Sequence, residues 1–380
     1  MRSIIVLLCI VTVCGVLAVG QSAEWTVWNM PSDESFPGDL VWMVDNSLFV
    51  ALHDPQALAR FEPDANRLIA WVLPVSPSEF VWTNSGLFFT TQRDSGIGWL
   101  QPDANHFEVW ALPSPTAEPI FLRESSFGKG VENLWYLEWE LGRLGLFEPT
   151  QLSASFEEGT EPLVIPVTQT SRSVVALSET VVPVISMGTG DFAPATYLIS
   201  PIETGLFREW GLVTMDPPAY ALAEDGLGNI WVPDAVNGTL LSLSPTDERV
   251  SIYELPDAIW LGGLVAIPDS TDIYFSAFSE SDGVSKIGLL QSETGNVALW
   301  DIPGGREIDA VSLITMDGDL WFCDRGNSAV YRFDLVSGTF TWWVTGGDDS
   351  PLYIVPGYPG EFWVSWEWSG KIARLRLPNE

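Results

Sequence analysis

One phrase returns along this chain and constrains its fold more than any other feature: an aromatic residue three places before a proline. It reads Trp28-Asn-Met-Pro31, Trp71-Val-Leu-Pro74, Trp110-Ala-Leu-Pro113, Tyr253-Glu-Leu-Pro256 and Trp300-Asp-Ile-Pro303. Trp210 and Trp342 keep the aromatic place without the proline, and Leu163 before Pro166 is the most degenerate copy. Successive anchors lie about 39 to 53 residues apart, the period of a four-stranded propeller blade. A second phrase recurs along the chain: Leu48-Phe-Val50, Leu87-Phe-Phe89, Leu134-Trp-Tyr136, Ile230-Trp-Val232, Ile273-Tyr-Phe275, Leu320-Trp-Phe322 and Phe362-Trp-Val364. Such runs are apolar on both faces, as strands flanked by neighbouring sheets must be. Gly or Asn falls before the anchors at Asn66, Asn105, Gly205, Gly295 and Gly338, where a short hairpin needs a residue that tolerates positive φ.

The expectation is therefore an all-β chain, one β-propeller domain over residues 21–380. Counting periods gives eight four-stranded blades, or seven if one of the irregular third and fourth is misread. Residues 150–162 read as an insertion in the third blade. The C-terminus supplies three strands and stops, while Trp25–Met30 matches a fourth strand with no blade before it. The N-terminal strand is expected to complete the last blade and so hide two open edges.

Residues 1–20 read as a secretory signal. Arg2 precedes an apolar run from Ile4 to Val19, and Ala18-Val19-Gly20 offers a small-residue cleavage site. Retention as an anchor is the other option, though the run is short for a span of roughly 20 residues. Cys14 does not make a lipoprotein site, because Val13 is bulky where a small residue is needed. Removal of the segment leaves Cys323 as the one cysteine, which rules out an internal disulfide or a cysteine metal cluster. A secreted, periplasmic or cell-surface monomer is expected, with no stable membrane insertion after cleavage.

Lys and Arg number 17 against 50 Asp and Glu, a net charge of −33 that repels nucleic acid and anionic membranes. A cationic ligand, a metal ion or a neutral sugar remains compatible, although acidity also serves plain solubility.

The Ile230-Trp-Val-Pro-Asp-Ala-Val-Asn-Gly238 and Leu320-Trp-Phe-Cys-Asp-Arg-Gly-Asn327 stretches, with fourth strands ending in Leu-Pro, resemble the virginiamycin B lyase (streptogramin B lyase) family. The likeness runs through nearly the whole mature chain, on scaffold phrases. It implies a propeller of typically seven blades. It also implies a lyase that linearises a cyclic depsipeptide by elimination, with Mg²⁺ near acidic residues and a histidine as general base. The mature chain has only His53 and His106, and neither lies in a late blade. His106 falls on the face opposite the expected site, so His53 is the one candidate base and no catalytic residue carries over. Asp334-Leu-Val-Ser-Gly-Thr-Phe-Thr-Trp342 resembles one docking repeat of quinoprotein dehydrogenases, a further alternative.

A ligand is expected on the face built from the loops after each second strand and between blades. Its candidates are His53, Asp54, Arg93, Glu138, Trp139, Asp234, Asp324, Arg325, Trp366 and Trp368. Carboxylates there are able to hold Mg²⁺ or Ca²⁺, with Glu138, Asp234 and Asp324 as the candidate ligands. Tryptophans are able to stack on a ring. Against this, Asp after a strand ordinarily satisfies turn backbone groups, and propeller tryptophans ordinarily pack between blades. Trp366 and Trp368 share a face if their strand continues. The reading that follows is a secreted binding propeller that needs no cofactor, presenting an acidic, aromatic face to a peptide, glycan or protein. A Mg²⁺-dependent lyase acting on a cyclic peptide is the alternative.

Overall fold

The computed structural model describes residues 22–31, 36–53, 56–101, 106–125, 133–149, 163–175, 177–181, 184–186, 195–198, 202–203, 207–212, 221–235, 237–256, 260–267, 269–279, 281, 283–304, 312–346 and 349–378. They form a β-propeller of seven blades of antiparallel strands, consecutive in the chain except in blades 3 and 7. Blade 1 is Pro37–Trp42, Leu48–Leu52, Ala57–Glu62 and Arg67–Val72. Blade 2 is Pro77–Thr83, Gly86–Thr91, Gly96–Gln101 and His106–Ala111. Blade 3 is Pro119–Ser125, Asn133–Glu138, Arg143–Phe147 and, after a long excursion, Phe207–Gly211. Blade 4 is Ala223–Glu224, Ile230–Asp234, Thr239–Ser244 and Arg249–Glu254. Blade 5 is Trp260–Ala266, Ile273–Ser279, Val284–Gln291 and Asn296–Asp301. Blade 6 is Leu313–Met316, Asp319–Asp324, Ala329–Asp334 and Thr339–Val344. Blade 7 is Pro351–Pro356, Glu361–Trp366 and Lys371–Arg376, with Ser22–Asn29 paired antiparallel beside Lys371–Arg376.

The count of eight is thus corrected to seven. Leu163-Val-Ile-Pro166 does form a strand, but it pairs with Arg67–Val72 on the outside of blade 1 and founds no blade. Thr168–Val175 then pairs with Ser22–Asn29, Leu177–Thr180 with blade 6, and Val184–Ser186 with blade 5. Ala195–Leu198 pairs with blade 4 and Ile202–Glu203 with blade 3. The excursion from blade 3 therefore runs round the ring against the blade order and adds a fifth, outermost strand to six sheets. The insertion expected at 150–162 lies outside the described residues, but the fourth strand of blade 3 begins only at Phe207.

An apolar cluster fills every seam between neighbouring blades, seven in all. Trp28, Phe61 and Trp363 meet between blades 7 and 1, so packing runs unbroken round the circle. This explains why the second strands are apolar on both faces: each face meets a neighbouring sheet. The first strand of each blade is left innermost, and the first strands of blades 7, 1, 2 and 3, and of blades 4, 5, 6 and 7, adjoin one another round the axis.

Candidate functional site

Proline opens the first strand of blades 1, 2, 3 and 7, and the ladder then breaks register between Pro37 and Leu40, Pro77 and Phe80, Ile120 and Arg123, and Pro351 and Ile354. Such a bulge places two residues opposite one and re-aims a side chain. The residue just before pairing resumes is Asp39 in blade 1, Glu79 in blade 2 and Tyr353 in blade 7. All three therefore converge at the axis. The Tyr353 hydroxyl donates to Glu79 Oε1, reaching from blade 7 past blade 1 to blade 2. The Asp39 carboxylate accepts the N–H of Leu40 at 2.9 Å and, across the seam, that of Phe80 at 3.1 Å. Arg123 joins from blade 3, its Nη1 3.8 Å from Glu79 Oε2 and donating to Leu122 O at 2.7 Å. Glu79 is only 4% exposed.

Burial governs the electrostatics. It pushes the Glu79 pKa up to about 7, repulsion from Asp39 adding to the rise, with Arg123 and the Tyr353 hydroxyl opposing it. Burial also raises Asp39, against Arg123 and the two backbone N–H donors. The Tyr353 phenol is driven well up by burial and by both carboxylates, so it stays a donor. Two carboxyls in one dry cluster resist ionising together and hold a proton near neutrality.

The cluster sits toward the ring face carrying the loops after the second strands. Asp39 lies opposite the end of Leu48–Leu52, and the position a Cβ would take on Gly38 is 3.6 Å from His53 Nε2. His53 is exposed as a residue, but partial desolvation in the mouth lowers its pKa, with Glu367 opposing and Arg93 adding. Arg93 rides a single 3₁₀ turn, Gln92–Asp94, and Asp94 accepts the Ser76 N–H at 3.0 Å. Arg325 of blade 6 pairs with Glu367 of blade 7 at 3.3 Å. His53, Arg93, Arg325 and Glu367 thus share the rim.

Other sequence candidates are turned inward. Glu138 is fully buried in blade 3 and accepts from Arg143 Nε at 2.6 Å. Arg143 also meets Glu209 at 3.0 Å, and the Tyr136 hydroxyl donates to Glu209 at 3.2 Å. Burial first and Glu209 second raise Glu138 to about 8, against the pull of Arg143. Trp139 packs half-buried on the seam between blades 3 and 4. Asp234 accepts Asn237 N–H and Nδ2–H at 3.1 and 2.8 Å, and Asp324 accepts the same groups of Asn327 at 3.1 and 2.7 Å. Both serve their own turns, and burial still lifts Asp324 to about 6. Asp54 lies outside the described residues.

Trp366 and Trp368 do not share a face. The strand ends at Trp366 and a 3₁₀ turn, Glu367–Ser369, breaks the alternation. Trp366 is buried edge-on against Trp25 at 5.6 Å, whereas Trp368 is 68% exposed. As for Mg²⁺, no group of three or more His, Cys, Asp or Glu among the described residues is gathered to hold a metal ion. Glu138, Asp234 and Asp324 stand in three different blades with oxygens given to Arg143, Asn237 and Asn327, so they do not fit a shared ion.

The axial cluster lies on first strands, away from the loops that carry most of the candidates legible in the sequence. A signal was present: Pro37-Gly-Asp39-Leu, Pro77-Ser-Glu79-Phe and Pro351-Leu-Tyr353-Ile are one phrase, with a polar residue two places after a strand-opening proline.

No family model and no curated protein matches the chain. Solved structures resemble it in fold. Virginiamycin B lyase from Staphylococcus aureus superposes with a TM-score of 0.67 at 15% identity, over 93% of this chain and 99% of that one. A streptogramin B lyase gives 0.68 at 15% identity, over 94% and 98%. YCF48 bound to D1 peptide gives 0.59 at 9% identity, over 93% and 95%. The family resemblance of the sequence thus holds for the scaffold.

Proposed function

We propose that this protein is a binding propeller that takes a peptide segment of a partner on the face around His53, Arg93, Arg325 and Trp368, without catalysis and with no cofactor required. The observation that carries this reading is the juxtaposition of an exposed tryptophan with an ion-paired rim over buried carboxyls. Exposed aromatic surface beside desolvated charge is the usual anchor chemistry of a peptide interface. A propeller of this fold has been solved with a peptide bound, which is consistent with that use of the scaffold. A peptide selected against this face by display should lose about tenfold in affinity on Trp368→Ala, read by calorimetry. Unchanged affinity for every selected peptide counts against the reading.

The signal at 1–20 is part of the same proposal, since a secreted form should begin at Gln21. We also assign the pairing of Ser22–Asn29 with Lys371–Arg376 the role of holding the ring closed.

A further inference from the structure

Resting on the peptide-binding reading, we propose that the axial cluster is a receptor for one ammonium group, a lysine side chain or a chain amino-terminus, which binds Glu79 Oε2 and displaces a proton. Three observations lead there. Glu79 Oε2 is buried and has no hydrogen-bond partner among the described residues. The other oxygen is taken by Tyr353, and the Arg123 guanidinium stands 3.8 Å off with its Nη1 spent on Leu122 O. A buried charged acceptor left unmade is costly, and a cationic donor satisfies it best.

The groups facing Glu79 set the sign of the charge. Asp39 comes from blade 1, Arg123 from blade 3 and Tyr353 from blade 7, while the Thr90 hydroxyl accepts the Glu79 N–H at 3.1 Å. With both carboxyls ionised, two negative charges face one positive one, so the cluster lacks one cation. Without a ligand the deficit is met by a proton, consistent with a Glu79 pKa near 7. An ammonium replaces that proton: the O–H of Glu79 ionises, an N–H···O⁻ bond forms, and H⁺ leaves to buffer. A guanidinium fits less well, because one, that of Arg123, already stands beside Glu79 Oε2 from blade 3. The net charge of −33 draws cations toward the face from a distance.

The test is a calorimetric titration of the mature protein at about pH 6 and about pH 8. The probes are Nα-acetyl-lysine methylamide for a side chain and alanine methylamide for an amino-terminus, with Nα,Nε-diacetyl-lysine methylamide as the uncharged control. One ammonium probe should bind about tenfold tighter at the higher pH, because ionised Glu79 rises by that factor across its pKa. The binding heat should vary with buffer ionisation enthalpy, which reports proton release. Glu79→Gln should remove the binding. Tyr353→Phe takes away a group that lowers the Glu79 pKa, so it should move the pH midpoint upward, a readout independent of the Gln variant. The inference is overturned if neither ammonium probe exceeds the control, if affinity is flat with pH, or if folded Glu79→Gln binds as the native protein does. A selected peptide that needs Trp368 but ignores Glu79→Gln would overturn the ammonium receptor and leave the peptide face standing. Ammonium binding with no peptide bound would do the reverse.

Discussion

Three glycines set how closely the middle strands of the blades can lie. Gly98, Gly145 and Gly288 stand on third strands directly opposite Phe89, Tyr136 and Phe275. A Cβ on each would fall 2.2, 2.0 and 2.1 Å from the facing ring, so the ring lies over the glycine. Blades 1 and 7 solve the same space with Val50 opposite Ala59 and Val364 opposite Ala373. Gly288→Ala should therefore destabilise by about 3 kcal/mol, at the upper end of overpacking costs, in a urea titration. Adding Phe275→Val, which copies the pair of blades 1 and 7, should recover part of it; no recovery would mean the ring is not the obstacle. Glu79 offers a second residue-level expectation. Its folded pKa near 7 exceeds the reference 4.5, so between those values the folded state holds more protons than the unfolded one. Stability then falls as pH rises through that window. Relative to the native protein, Glu79→Gln should gain melting temperature from pH 5 to pH 8. A parallel pH profile for the two would refute the burial argument.

Among the elements, the strand Ser22–Asn29 does more than fill a place. Trp25 Nε1 donates to Val344 O of blade 6 at 3.1 Å, and Trp28 Nε1 donates to Asn66 Oδ1 beyond blade 1 at 2.8 Å. Trp28 also packs 5.3 Å from both Phe61 and Trp363, with the Arg374 guanidinium 5.2 Å from its ring. One strand thus stitches blades 6, 7 and 1. Trp28→Ala should cost about 3–5 kcal/mol by thermal or chemical denaturation. Deleting residues 21–31 should lower the melting temperature sharply if this strand closes the ring, and an unaltered melt would exclude that role. The strand is itself covered by Thr168–Val175, so its outer edge is not open to a second chain. The bulged first strands act at the same scale. By inserting one residue, each turns its Asp39, Glu79 or Tyr353 toward the axis, which strict alternation would not do.

For the whole molecule the charge matters most. A surplus of 33 negative charges surrounds a face whose rim carries paired Arg325 and Glu367. Long-range attraction of a basic peptide should act on the association rate and be screened beyond about 8–10 Å at physiological salt. Raising sodium chloride from about 0.02 to about 0.3 M should slow association of a Lys-containing peptide by roughly tenfold, with a smaller change in dissociation. A salt-independent association rate in stopped flow would mean the field does not steer.

The blade phrases were legible because they are local: an aromatic before a proline, an apolar triplet and a glycine turn encode strand and hairpin within a few residues. The same locality produced the eighth blade. Leu163–Pro166 carries the character of a fourth strand and does become a strand, but extended propensity does not name a partner, and the fold sets it against blade 1. Asp234 and Asp324 were legible as turn residues from their Asn neighbours. Glu79 was not, since a carboxylate in an apolar strand reads as an exception until residues 274 positions apart are seen to meet. The chain by itself determined the repeat, the strand-forming segments and the acidity. Only the tertiary structure decided how many of those segments founded blades, which strand covered which edge, and that three prolines turned Asp39, Glu79 and Tyr353 onto one axis. The reason is physical: hydrogen bonds within a hairpin are fixed by near neighbours, whereas ring closure and the burial that raises the Glu79 pKa exist only when distant blades pack together.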